Sequence, residues 1–303
     1  MLLASRLSCA SRDHCSLPHN VAHLFSKMAI SQLRLQGIER VSVDRKKETN
    51  MTTTSRPVTI AQPYDAIHWT QYLSPLKVQR TPTGALNLNV DGRHVLSPLQ
   101  GFGQLWQKTF SIRLKGQRLT AGEVMKTWKE RFSTFWPTWD HFFVPSTGIA
   151  AGEVVLINMV IPGDLPIGLP ISTGVVVHSA DAQSFTLMTP QGHMFAGWIT
   201  FRVHEEKGAV LAQIQVLLRA SDPLYELCFR FGANSAENLF WQQTLVALAA
   251  HFGVHEPIET HIVCLDPKVQ WSKFWNIWQN AAIRTLLYRM ATFVSRIHKR
   301  TDS

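Results

Sequence analysis

The chain is short of the residues that usually announce a reaction. It has four cysteines, Cys9, Cys15, Cys228 and Cys264, and no C-x-x-C pair. A chain of 303 residues can build a core without disulfides. Cys9, His14 and Cys15 fit no standard metal-ligand spacing, so no metal is expected there. Cys228 stands in the apolar run Leu227-Cys228-Phe229 and reads as a structural thiol. No glycine-rich loop follows a strand pattern, so nucleotide cofactors find no support. No cofactor of any kind is indicated. Internal repeats are absent. The apolar start Leu2-Leu3-Ala4 is broken at Arg6, too early for a secretory signal.

The middle of the chain also lacks net charge. The formal charge is +9, but residues 1–50 hold eight Lys/Arg against four Asp/Glu, and residues 271–303 hold six against one. Residues 51–270 carry sixteen of each sign and are neutral. A nucleic-acid-binding domain carries its own basic face. This one has none in excess, so nucleic acid is excluded as a partner. The expected setting is cytoplasmic, with at most a peripheral contact to membrane.

Residues 1–50 read as a disordered, over-extended start, because Met51-Thr52-Thr53-Thr54-Ser55 resembles an ordinary polar beginning. Residues 51–104 read as an extended arm. Pro57, Pro63, Pro75, Pro82 and Pro98 forbid long helices and central strands there. Short strands remain possible, with a hairpin around Thr83-Gly84 and Asp91-Gly92. Tyr64, Trp69 and Tyr72 should pack the arm onto the main domain.

That domain spans 105–254. A strand is expected over 106–114. Thr120-Ala121-Gly122-Glu123 is a capping box, and Val124, Trp128 and Phe132 follow at helical spacing. Strands are then expected over 153–161, 173–179, 184–189, 195–204 and 209–219, with a turn at Glu206-Lys207-Gly208. Asp222-Pro223 opens a helix that breaks at Gly232. Asn234-Ser235-Ala236-Glu237 reads as a second cap, before the stripe Trp241, Leu245, Leu248 and Phe252. Residues 255–270, with His255, Pro257 and His261, read as a solvated linker. Residues 271–300 read as a basic amphipathic helix.

Strand, helix, strand meander, long helix is an α+β order: a curved antiparallel sheet wrapped around a long helix. It resembles the helix-grip fold of the START and pollen-allergen-like superfamily, SRPBCC. Leu187-Met188-Thr189-Pro190-Gln191-Gly192-His193 and Arg219-Ala220-Ser221-Asp222-Pro223-Leu224 are similar to an uncharacterised bacterial and plant family within it. That family has acidic residues soon after its Gly-His. Phe195-Ala196-Gly197-Trp198 stands there instead, so no role of those acids carries over. The resemblance implies an internal apolar cavity. It equally spans carriers, cyclases and hydrolases, so it leaves chemistry open.

The leading expectation is a non-catalytic protein holding a hydrophobic, lipid-like small molecule. Trp128, Trp198, Phe201, Arg219, Trp241 and Leu245 are the candidate lining. His193 is the candidate base should the protein be an enzyme, although nothing at fixed spacing supplies a nucleophile. Beside them the more ordinary readings stand: His193 shapes its turn, Asp222 caps its helix, and Arg219 pairs with Asp222 or Glu226. Trp271, Trp275 and Trp278, with Arg284 and Arg289, suit an anionic membrane surface, a helix docked on the domain, or self-association. Arg284 and Arg289 would lie too deep for that helix to span a bilayer.

Overall fold

The structure is a computed structural model, and it describes residues 73–115, 119–137, 140–161 and 169–301. The expected disordered start, and Tyr64, Trp69 and Tyr72, lie outside the described residues. Eight strands among the described residues make one antiparallel sheet. They are β1 (Leu105–Leu114), β2 (Asp140–Phe143), β3 (Val154–Ile161), β4 (Leu169–Ala180), β5 (Ser184–Met188), β6 (Phe195–Glu206), β7 (Ala209–Ala220) and β8 (Glu259–Asp266). Their spatial order is β2-β3-β4-β5-β6-β7-β1-β8. Among the described residues four α-helices accompany them: α1 (Ala121–Glu130), α2 (Pro223–Cys228), α3 (Asn234–His251) and α4 (Ala281–Thr301).

Local chemistry explains most of these boundaries. Thr120 accepts from the Glu123 amide at 3.3 Å, and Glu123 accepts from the Thr120 amide at 2.9 Å, which starts α1. Lys207 (φ 52) and Gly208 (φ 75) form the two-residue turn between the paired Glu206 and Ala209, because successive positive φ values match the twist of a hairpin. Asp222 Oδ1 accepts from the Leu224 and Tyr225 amides at 2.9 and 3.0 Å, with Pro223 at the first helical position of α2.

The core lies between one sheet face and the helices. Phe110, Ile112, Val155, Val177, Phe185, Phe201 and Ile214 supply the sheet side. Val124, Met125 and Trp128 of α1 and Trp241, Leu245 and Leu248 of α3 supply the other. Burial of each large side chain contributes about 1.5–3 kcal/mol. A second, smaller cluster joins Ile171, Ala220 and Tyr225 to Ala281 and Ala282 of α4.

Four sequence expectations are corrected. Residues 255–270 are not a solvated linker, because β8 runs through them and pairs with β1, Thr109 facing His261 and Lys108 facing Ile262. Thr260, Ile262 and Val263 favour a strand, and the edge of β1 is otherwise open. The described part of the arm forms no hairpin of paired strands, although Leu76 exchanges backbone hydrogen bonds with Gly92 and Arg93 and closes a loop around Thr83-Gly84. It holds one bridge, Val95 to Pro190, and a 3-10 turn at Pro98–Gln100. Asn234 does not cap a helix, since a π-turn at Phe229–Ala233 carries the chain through Gly232 (φ 123) and Asn234 is already helical. The C-terminal helix is two pieces, a 3-10 helix at Trp271–Gln279 and then α4, broken at Asn280.

Candidate functional site

The candidate lining residues fall on opposite faces of the sheet. Successive strand residues point to opposite sides. Phe195, Ile199, Phe201 and Val203 of β6 join the core, so Trp198 turns away from it. Val216 and Leu218 of β7 join the core, so Arg219 turns away as well. Trp198 and Arg219 therefore cannot share a pocket with Phe201. Trp128, Phe201, Trp241 and Leu245 do come together, each 5% exposed or less.

Their rings meet directly. The Trp128 ring stands edge to face with Phe201 at 5.4 Å and with Phe185 at 6.2 Å. Phe132 meets Phe201 at 5.0 Å, and Trp136 meets Trp241 at 6.1 Å. Each such pair contributes about 0.5–1.5 kcal/mol beyond its buried area. Within this apolar layer the indole N–H groups of Trp128 and Trp136, and the Thr173 hydroxyl, are buried without a hydrogen-bond partner. An unsatisfied buried donor costs about 1–3 kcal/mol.

At one end of the layer Lys108 is buried. Its Nζ donates to Asn234 Oδ1 at 2.6 Å and Asn238 Oδ1 at 2.7 Å, and it pairs with Glu237. The Phe229 ring lies 4.9 Å from the ammonium. Glu237 in turn accepts from Trp241 Nε1 at 2.5 Å. Burial lowers the Lys108 pKa, and the Glu237 carboxylate opposes that shift. The ammonium has three donors and three protein acceptors, so it is satisfied. Sequence reading missed this cluster. A lysine alternating with Phe110 and Ile112 on β1 was the available signal.

His193 is held by its own turn. Its Nδ1 lies 3.0 Å from the Phe195 amide nitrogen and 3.2 Å from the Phe195 carbonyl oxygen, so either tautomer ties the ring to the start of β6. Burial lowers its pKa to about 4. The His193 carbonyl accepts from Ser221 Oγ. Arg219 pairs with Asp266 at 2.5 Å and donates to the Gly103 and Lys268 carbonyls. Neither Asp222 nor Glu226 is its partner, contrary to the sequence expectation; Glu226 pairs with Arg230 at 2.7 Å. The Arg219 hydrogen bond holds the Asp266 carboxyl below its usual range.

The two motif stretches converge. Ser221 and Asp222 lie beside the Gly192-His193 turn, and together they form a socket for residues 276–282. Asn276 Nδ2 donates to the Ser221 carbonyl at 2.7 Å and the Gln100 carbonyl at 2.9 Å. Asn280 Nδ2 donates to Asp222 Oδ2 at 2.8 Å. The Ala281 amide donates to the Gly192 carbonyl at 2.9 Å, and the Ala282 amide to the Tyr225 hydroxyl at 3.1 Å. Burial raises the pKa of Asp222 against these hydrogen bonds. The proposed contact residues then diverge. Trp271, Trp275 and Trp278 are exposed, as is Arg289, while Arg284 is held by Asn89 Oδ1 at 2.9 Å.

A curved antiparallel sheet closed by the long helix α3 is the decisive arrangement. Residues 105–266 carry a helix-grip arrangement, its sheet extended beyond the expected boundary at 254 by β8. Residues 116–245 match the family described as Domain of unknown function (DUF1990). No curated protein matches the chain. Among solved structures the helix-grip domain is similar to protein Ms6760 from Mycobacterium smegmatis, with 11% identity over 48% of this chain and 90% of that one, at a TM-score of 0.33. It is similar to the ginseng major latex-like protein 151 from Panax ginseng, with 13% identity over 49% and 98% and a TM-score of 0.32. It is also similar to the di-domain ARO/CYC StfQ from the steffimycin biosynthetic pathway, with 10% identity over 50% and 53% and a TM-score of 0.37. At such scores the assignment rests on the strand order and helices of this chain itself.

Proposed function

We propose that the helix-grip domain binds a mainly apolar small molecule carrying an oxygen acceptor, and that it does so without catalysis. The observation that carries this reading is the Trp128 indole N–H, fully buried among aromatic rings with no acceptor. A carbonyl or hydroxyl on a lipid-like ligand would satisfy it, while the rings of Phe132, Phe185 and Phe201 contact the apolar body. Because those rings meet one another, uptake requires α1 and the turn after it to part from the sheet. Binding is then slow and coupled to opening. His193 favours no enzymatic reading: its imidazole is bonded within its own turn and buried.

The test is native mass spectrometry of the full chain, followed by titration with oleic acid. The expected result is a bound species in a one-to-one ratio, with uptake weakened in Trp128→Phe, which keeps the ring and removes the donor. A chain that is ligand-free as isolated and takes up no oleic acid would overturn the reading.

A further inference from the structure

The C-terminal module presents a large apolar face to solvent. Trp271 and Trp275 are each 69% exposed and Trp278 is 74% exposed, while Phe293 and Val294 of α4 are 66% and 65% exposed. Side chains three apart eclipse in a 3-10 helix, so Trp275 and Trp278 form one row and Trp271 and Phe274 the next. The third row, with Lys273 and Asn276, faces the domain, where Asn276 is bonded to Ser221 and Gln100. The helix α4 follows the same division. Ala281, Ala282 and Thr285 are buried against the domain, whereas Leu286, Leu287, Met290, Phe293 and Val294 are exposed. Folded proteins rarely leave this many large apolar side chains exposed in neighbouring segments without a use for them.

We propose that this face docks on a bilayer containing anionic phospholipid, with the Trp275/Trp278 row and the outer side of α4 lying in the head-group plane. Charge selects this occupant over the alternatives. Residues 271–303 carry six Lys/Arg and one acid, Asp302; Lys273 and Arg284 turn toward the domain, and Arg289 is exposed. A second copy would set one such cationic segment against another. The first fifty residues of the chain, with eight Lys/Arg against four acids, are repelled in the same way. Anionic head groups are attracted, at about 1 kcal/mol for each basic residue near the surface. Tryptophan supplies the complementary preference, an apolar ring body with a polar N–H at the boundary. The arrangement suits lying on the membrane rather than crossing it. No helix among the described residues is long and apolar enough to cross, and Arg289 is exposed in the middle of α4. The socket fixes orientation as well, since Asn276 and Asn280 tie the module to Ser221 and Asp222.

The experiment is cosedimentation of the full chain with vesicles of equimolar phosphatidylcholine and phosphatidylglycerol, against phosphatidylcholine alone. Binding at least about tenfold stronger to the anionic vesicles is expected, falling as salt is added. The double variant Trp275→Ala/Trp278→Ala should lose binding by about tenfold or more at an unchanged unfolding midpoint, because both side chains are exposed. Brominated acyl chains should quench tryptophan fluorescence in the parent chain and quench less in the variant. Equal binding to both vesicle types overturns the proposal, as does parent-level binding by the double variant. A chain that stays off both vesicle types also overturns it, whether it remains monomeric or pairs through this face in analytical ultracentrifugation.

Discussion

Asn280 donates its side-chain amide to the Asp222 carboxylate at 2.8 Å, across 58 positions of sequence. Asp222 thereby serves two elements. One oxygen caps α2 and the other holds the hinge before α4. Each contact is ordinary, but both depend on one buried side chain.

Asp222→Ala should therefore cost more than a simple cap. Loss of the cap is worth about 1 kcal/mol, and the stranded Asn280 amide adds about 1–3 kcal/mol. Urea unfolding of Asp222→Ala and Asn280→Ala checks the ranking. Asn280→Ala should lose less, because α2 keeps its cap. Equal losses would mean that the two roles are not separable.

His193 should make stability depend on acid. Its folded pKa of about 4 lies below the 6.5 of the free side chain, because burial disfavours the imidazolium. The fold therefore prefers the neutral ring. That contribution is complete above about pH 6.5, shrinks as the pH falls through 4, and is worth at most about 3 kcal/mol. Urea midpoints between pH 7 and 4 should fall more steeply in the parent than in His193→Asn. Parallel curves would remove His193 as the cause.

Much of this fold could be read from the residues because its signals are local. Thr120 with Glu123, Asp222 with Pro223, and Lys207-Gly208 each act within a few residues. The alternation of β6 and β7 follows one face. What escaped reading depends on partners far along the chain. The 255–270 segment looked polar because His261 and Glu259 are exposed on an edge strand, where only one face needs apolar residues. Asn234 looked like a cap because its real partner, Lys108, lies 126 positions earlier. The grouping of Trp198 with Phe201 failed on a rule the sequence does carry, since adjacent parity puts them on opposite faces. The socket role of Gly192-His193 and Ser221-Asp222 needed the three-dimensional position of Asn276 and Asn280.

Lys108→Met should be destabilising by about 3–5 kcal/mol, because it leaves the buried Glu237 carboxylate without its cation. The double variant Lys108→Met/Glu237→Gln should recover part of that loss, since a neutral amide is cheaper to bury than an unpaired charge. Guanidinium unfolding of the single and double variants measures the recovery. A double variant no better than Lys108→Met alone would show that packing, not charge, carries the effect.

Gly192→Ala tests whether the Gly-His turn exists to seat the C-terminal segment. Gly192 has φ +88, a conformation that costs an alanine about 1–3 kcal/mol by itself. A Cβ there would also come within 2.1 Å of the Gln279 carbonyl oxygen, a backbone atom that cannot swing aside. The two effects separate by readout. Strain alone lowers the midpoint of the whole domain. The clash additionally weakens the bond from the Ala281 amide to the Gly192 carbonyl and frees residues 276–282. Limited proteolysis should then cut Gly192→Ala in 276–282 before the domain unfolds, while the parent stays intact. Gly208→Ala is the control, because Gly208 also has a positive φ (+75) but no atom lies within 4 Å of the added carbon. It should lower the midpoint and leave the cleavage pattern unchanged. Early cleavage in both variants would trace the release to general loss of stability and take the seating role away from Gly192.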